Sequence, residues 1–416
     1  MGASDNQSHP STEQDAALIR GLTEPRFTRR RLLGSAGALS ASAMLAACGV
    51  AGTEKKKAAK GTDWPAWWKQ QKQTGTLDFA NWPLYIDTSH GKHPSLNQFS
   101  KETGIKVSYF EVIQDNAPFY AKIAPTLQSG QSIGYDIIVM TNDTWQLTEL
   151  LHINGWAIPL DHSQLPNFAK YASSIVKNPS YDPGNTYTAA WQSGFTGIAY
   201  DPRLTKREIT SVHDLFDPAF KGHVGMMNDN TELGSLGLLA LGIDPEKSTQ
   251  ADWKKAADLL TKQRNNGLVR QYYDQSYIKA LENGDTWITQ AWSGDIYQAN
   301  NTGYPHLKFV VPKEGVMVWT DNMLIPLHAK HPVDALKWIN YYYQPKVAAQ
   351  VADWVNYVTP VPAAKPILMK QDPAVGKSPL VFPTPAMNAQ THQYYNYKSY
   401  NDFQAWNNTF NPIIQS

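Results

Sequence analysis

Tyr135-Asp136-Ile137-Ile138-Val139-Met140 is a short, nearly continuous apolar run. A strand reads this way when both of its faces are buried in a parallel sheet. Working outward, Thr76-Leu77-Asp78-Phe79 reads as another short strand, and His93-Pro94 opens a helix that runs to Thr103 and stops at Gly104. Residues 105–110 alternate as a strand, and residues 119–127 read as helix despite Pro125. Strand, helix, strand, helix, strand is the pattern of an α/β lobe whose ligands gather beyond the carboxyl ends of its strands. The stretches past two of those ends, Asn81-Trp82-Pro83-Leu84-Tyr85 and Thr141-Asn142-Asp143, are therefore candidate site residues.

The middle of the chain repeats the arrangement. Residues 197–200, 222–227 and 286–292 read as strands, the last ending in Trp292, and residues 233–241 and 252–264 read as helices. A further β-rich run, Val316-Met317-Val318-Trp319-Thr320-Asp321-Asn322-Met323-Leu324-Ile325-Pro326, precedes two helices at 333–343 and 345–356 and an aromatic tail from Gln390 to Trp406. Two α/β lobes, with the chain crossing between them near residues 191–197, 312–319 and 366–372, place the end loops of both around one cleft. Asp321 stands out because a carboxylate in so apolar a run is costly to desolvate unless something positive meets it. An acid beside an indole suits a bound cation, with the ammonium on Asp321 and its methylenes on the face of Trp319. On this stretch alone, an acid paired with a nearby Lys or Arg is the simpler reading.

Composition narrows the function classes. The chain has 416 residues and is 42% hydrophobic, enough for two cores of ordinary size. Its 37 Lys and Arg nearly balance 36 Asp and Glu. The first sixty residues hold nine of the bases and only five of the acids, so the remainder is mildly acidic. That excludes a basic nucleic-acid face. The 14 Trp and 21 Tyr often sit beside Asn, Asp or Gln, as in aromatic-lined small-molecule sites.

The N-terminus is directly readable. Thr28-Arg29-Arg30-Arg31-Leu32-Leu33, followed by an Ala/Leu/Ser/Gly run to Ala47, has the form of a twin-arginine export signal. The run closes with Leu45-Ala46-Ala47-Cys48, which is similar to the lipobox of bacterial lipoproteins, where the cysteine is lipidated after cleavage. Cys48 is the single cysteine, so disulfides and Cys-based metal sites are excluded. Residues 1–47 are thus expected to be a signal peptide. Residues 48–73, with the Gly/Ala/Lys-rich 49–61 segment, are expected to be a flexible tether holding the body at the outer face of the cytoplasmic membrane or in the periplasm.

The export signal, the lipobox, Phe79-Ala80-Asn81-Trp82-x-x-Tyr85, residues 135–139, Asp229-x-x-Glu232, Trp292-Ser293-Gly294, Pro312-Lys313-Glu314-Gly315 and Trp319-x-Asp321 occur in one order. In that order the chain resembles the spermidine/putrescine-binding proteins of bacterial polyamine ABC importers, over roughly residues 74–410. The resemblance implies a type II periplasmic-binding-protein-like fold with the ligand cleft between two lobes, residues 74–191 with 319–367 and residues 192–318 with 368–416. It further implies a monomer that hands a linear polyamine to ABC permease subunits, without a cofactor or metal. Trp82, Tyr85, Trp292 and Trp319 would wall the ligand. Asp321 would take a primary amine, Asp229 with Glu232 a second nitrogen, and Gln393 is a weaker match. The chain departs at Pro83-Leu84, where many members place a hydroxyl and an acid, and at Asp143, where others place an aromatic or a serine.

Other readings stand beside this one. Asp229-Asn230-Thr231-Glu232 has the spacing of a helix capping box. Trp82, Tyr85 and Trp292 could be core residues. A carboxylate pair in a cleft also equips a glycoside hydrolase, although His-Glu-x-x-His and Gly-x-Gly-x-x-Gly are both missing from the sequence. A binding protein for another organic cation is the remaining alternative. His90-x-x-His93 and His328-x-x-His331 have ligand-like spacing but lie beside Lys and Pro, and read as solvated.

Overall fold

The computed structural model describes residues 61–415. The twin-arginine run, the lipobox at Cys48 and the tether up to residue 60 lie outside the described residues. The last part of the expected tether is not loose. Trp64–Gln70 forms a helix with Asp63 accepting from Ala66 N at its start, and Trp68 is buried with its indole N–H on the Pro159 carbonyl at 2.8 Å. The apolar payload of three tryptophans holds this segment on the body, so a flexible stretch reaching residue 73 is corrected.

Among the described residues, ten strands form one curled sheet. They are β1 (Thr76–Asn81), β2 (Lys106–Glu111), β3 (Ile137–Thr141), β4 (Thr188–Tyr200), β5 (Val224–Met227), β6 (Val269–Tyr273), β7 (Ile288–Trp292), β8 (Lys308–Val310), β9 (Val316–Leu324) and β10 (Thr391–His392). The order is β2-β1-β3-β9-β4-β7-β5-β6, with β10 on β9 and β8 on β4. β3 is parallel to β1 but antiparallel to β9, so its apolar run is buried in a mixed sheet, not a purely parallel one. Pro94–Thr103 is a helix closed by Gly104 at φ 74, a left-handed position that suits glycine.

β4 and β9 are fully buried along their whole length and pair with each other through both halves of the body. One core gathers Phe79, Ile137, Val139, Trp191, Met323, Leu324 and the helices Pro332–Tyr342 and Pro345–Val355. A second gathers Ile198, Tyr200, Met226, Leu233, Trp253, Met317, Trp319 and Trp406. Each of the two strands therefore leaves one lobe and enters the other, β4 between Trp191 and Ile198 and β9 between Trp319 and Met323. The third crossing is corrected. Leu368, Val375, Val381 and Phe382 belong to the first core and Tyr394 to the second, because helices Lys365–Gln371 and Pro373–Lys377 pack back on the first lobe. The chain crosses between Phe382 and Tyr394, not at 367–368.

Candidate functional site

The carboxyl ends of β1, β3, β5 and β7 lead into Trp82, Asn142-Asp143, Asp229 and Trp292 respectively. Asp321 reaches the same region from the middle of β9, opposite Thr141 of β3 and Gln192 of β4. It is 6% exposed. Its Oδ1 accepts from Thr141 Oγ1 and its Oδ2 from Tyr85 OH, each at 2.7 Å. Burial pushes its carboxyl up to about 6, against the pull of these two hydroxyls. Asp321 and Tyr85 are thus brought into one contact, from positions far apart in sequence.

On the second lobe, Asp229 caps the helix Asn230–Ala240, its Oδ1 accepting from Thr231 N at 2.8 Å and Glu232 N at 2.9 Å. The reciprocal half of a capping box does not form. Glu232 turns inward instead, where Oε1 accepts from Thr196 Oγ1 at 2.6 Å and Trp292 Nε1 at 3.1 Å. Oε2 is buried without a hydrogen-bond partner. Burial first, and then the charge of Asp229, push Glu232 up to about 7, while the donors Thr196, Trp292 and Tyr394 pull it down. Asp143 is half-buried with its Oδ1 unpartnered, and its carboxyl is pushed well above the ordinary range by burial and then by Asp229, Glu232 and Asp321. Among the described residues, none of these four acids forms an ion pair with Lys, Arg or His. The simple pairing of Asp321 with a nearby base is therefore absent from the described residues.

Aromatic rings stand around these acids. Trp319 lies over Gly194, where a Cβ would sit 2.2 Å from ring atom Cζ2, so only glycine allows the indole this close to β4. Tyr357 packs edge-on against Trp319 at 5.1 Å and against Tyr85 at 6.0 Å. It depends in the same way on Gly294, with a 2.2 Å approach to Cε1. Its hydroxyl donates to Asp295 Oδ1 at 3.2 Å, and Tyr277 donates to Oδ2 at 2.5 Å. Trp82 packs half-buried on the first core, with no hydrogen bond or ring contact to the other candidate side chains among the described residues. Gln393 accepts from Asn142 Nδ2 at 3.4 Å, across the two lobes. Trp145 stacks on Phe403 at 5.7 Å and 13°, and Asn396 donates to Ser180 at 3.0 Å, further contacts that bridge the halves.

Sequence reading missed Asp295, Tyr357 and Tyr394. Asp295 carried a usable signal, lying three residues beyond Trp292 at the start of the helix Ser293–Asn301. Tyr357 carried none locally. One histidine of the paired motifs also meets acids, since Asp78, Asp136 and His331 hold ligand atoms within 4.8 Å of one another. Asp136, however, already accepts the backbone N–H groups of Asp78, Lys330 and His331 at 2.9 Å each, which makes it a staple between strand and loop.

The arrangement suits a flexible polycation with apolar spacers, because unpaired acids can meet its nitrogens and ring faces its methylenes. The family model for bacterial extracellular solute-binding proteins matches residues 95–380. The spermidine/putrescine-binding periplasmic protein 1 of Haemophilus influenzae is 32% identical over 310 residues, covering 74% of this chain and 82% of that protein. The putrescine/agmatine-binding protein of Pseudomonas aeruginosa is 30% identical over 298 residues, covering 67% and 78%. The crystal structure of the spermidine/putrescine ABC transporter substrate-binding protein PotD from Streptococcus pneumoniae superposes with a TM-score of 0.71 at 24% identity, covering 82% of this chain and 99% of that one. It supports the two-lobed, type II periplasmic-binding-protein fold.

Proposed function

Because the chain belongs to the bacterial extracellular solute-binding protein family, we propose that it captures a linear polyamine, spermidine or putrescine, and delivers it to the permease subunits of an ABC importer. The observation that carries this reading is the set of four acids that, among the described residues, have no basic partner, bounded by Trp292, Trp319, Tyr85 and Tyr357. A solute-binding family leaves no place for the hydrolase alternative. In this reading Asp321 takes a primary ammonium between Tyr85 and Thr141, and Asp229 with Glu232 takes another nitrogen. Trp319 and Tyr357 flank the methylenes, Trp82 forms an outer wall, and Gln393 closes the rim. Lobe boundaries within β4 and β9, and between Phe382 and Tyr394, make these strands and that linker the hinge. Ligand contacting both lobes then draws them together.

Calorimetry of the body from residue 62 onward against putrescine, spermidine, spermine and agmatine is expected to show stoichiometric binding without turnover. Small-angle scattering should show a smaller radius of gyration at saturation. Absence of binding to all four compounds would sink the reading, and an unchanged scattering profile at proven saturation would replace the hinge with a preformed site.

The finer localisation is also part of the proposal. The twin-arginine run and Leu45-Ala46-Ala47-Cys48 support export of the chain and anchoring through lipid on Cys48. Among the described residues no helix is long and apolar enough to cross a membrane. Cys48→Ala should release the exported protein into the soluble fraction, since the acyl chains supply the anchoring free energy. Continued sedimentation with membranes after a high-salt wash would contradict the lipid anchor.

A further inference from the structure

Among the described residues Asp143 forms no ion pair. It follows β3 on the first lobe, yet the charges that act on it most are those of Asp229 and then Glu232, both on the second. Its Oδ1 is buried without a hydrogen-bond partner. Across from it, Glu232 is 2% exposed and also keeps one oxygen unpartnered. Asn142, next to Asp143, donates to Gln393 at 3.4 Å, and the adjacent Tyr394 hydroxyl lies 3.4 Å from the Thr196 hydroxyl that donates to Glu232, so the two acids approach one region from the two lobes, with no Lys, Arg or His paired to either among the described residues. Leaving both without a cation disfavours the closed arrangement, and a cation between them reverses the sign of the interaction.

The number of ligand charges then matters. A diamine has two ammonium groups, and Asp321 and the Asp229–Glu232 pair already account for two. A triamine or longer chain carries one more, which Asp143, the acid left over, can accept. We infer that Asp143 is a specificity-determining residue that favours polyamines with three or more cationic nitrogens over diamines. The inference rests on the polyamine reading above and adds to it the charge of the preferred ligand.

The test is calorimetric titration of the wild type, Asp143→Asn and Asp143→Glu with putrescine and with spermidine at one ionic strength, each variant first checked for a native circular dichroism spectrum. Asp143→Asn is expected to weaken spermidine binding by about tenfold or more, the scale of a lost charge pair in a partly screened site. Putrescine binding should stay the same or tighten, because a repulsion is removed. Asp143→Glu, which keeps the charge, should keep the preference for spermidine. Equal losses for both ligands, or no loss for spermidine, would overturn the inference while leaving polyamine binding intact. A wild type that binds neither compound would overturn the polyamine reading and this inference with it.

Discussion

Asp321→Asn is expected to weaken binding of every polyamine by about 30-fold to several thousand-fold, equivalent to roughly 2–5 kcal/mol for removing one member of a desolvated charge pair. The substitution keeps size and removes charge. Of the four acids, Asp321 and Glu232 are the most deeply buried, and Asp321 is held by two hydroxyls at 2.7 Å with no base paired to it among the described residues. An ammonium placed there has little water to compensate for a lost counter-ion. The effect should appear for putrescine as much as for spermidine, since both end in a primary amine, which separates it from the selective loss expected at Asp143. Titration calorimetry measures it, and wild-type affinity in a folded variant would mean that Asp321 is a structural acid.

Glu232→Gln is expected to stabilise the ligand-free protein at pH 8 by up to about 3 kcal/mol and to leave it unchanged near pH 4. Burial lifts this acid from an ordinary value of 4.5 to about 7, so the folded state holds its proton more tightly than the unfolded chain does. The stability that comes from the protonated form is complete below the ordinary value and is lost as pH rises through about 7. Glutamine preserves the acceptor for Thr196 and Trp292 and takes the charge away from Asp229 and Asp143. Scanning calorimetry of both proteins across this range should show melting temperatures that diverge by several degrees as pH rises. Coincident melting curves at pH 8 would show that Glu232 carries no such penalty. Ligand binding should run the other way in the wild type, weakening below pH 7 as Glu232 and then Asp321 take up protons that the bound cation must displace.

Much of the fold could be read in the sequence because its elements announce themselves locally. Pro94 and Gly104 bracket a helix, and the apolar residues of β9 leave no other reading than a buried strand. β6 escaped because it is the last strand of the sheet order, and its Arg270 and Gln271 face solvent, so neither period of two nor apolar run survives. The first half of β4 escaped for a different reason. Thr188, Gln192, Ser193 and Thr196 are polar but buried, and each hydrogen bonds inside the body, so composition disguises a central strand. At the site, Trp319 and Asp321 are neighbours in sequence and were legible. Tyr85 and Thr141 could be read as residues at strand ends, but their contacts with Asp321, like the approach of Gly194 and Tyr357 to Trp319, join remote segments and can be found only by folding the chain. Asp229 shows the limit of motif reading, since the capping half of Asp229-x-x-Glu232 forms while its glutamate faces inward.

The position of β9 between β3 and β4 also bears on how the polypeptide is made. A ribosome emits β3 and β4 long before residues 316–324, and these two strands do not pair directly with each other. Until β9 emerges and slots between them, the growing chain carries two unsatisfied strand edges that invite pairing with other chains. The contact that completes the first lobe is therefore among the most distant in sequence, a topology that folds slowly and leaves intermediates exposed. No fragment ending before residue 316 can close this sheet, so the first lobe matures only once synthesis has passed through most of the second.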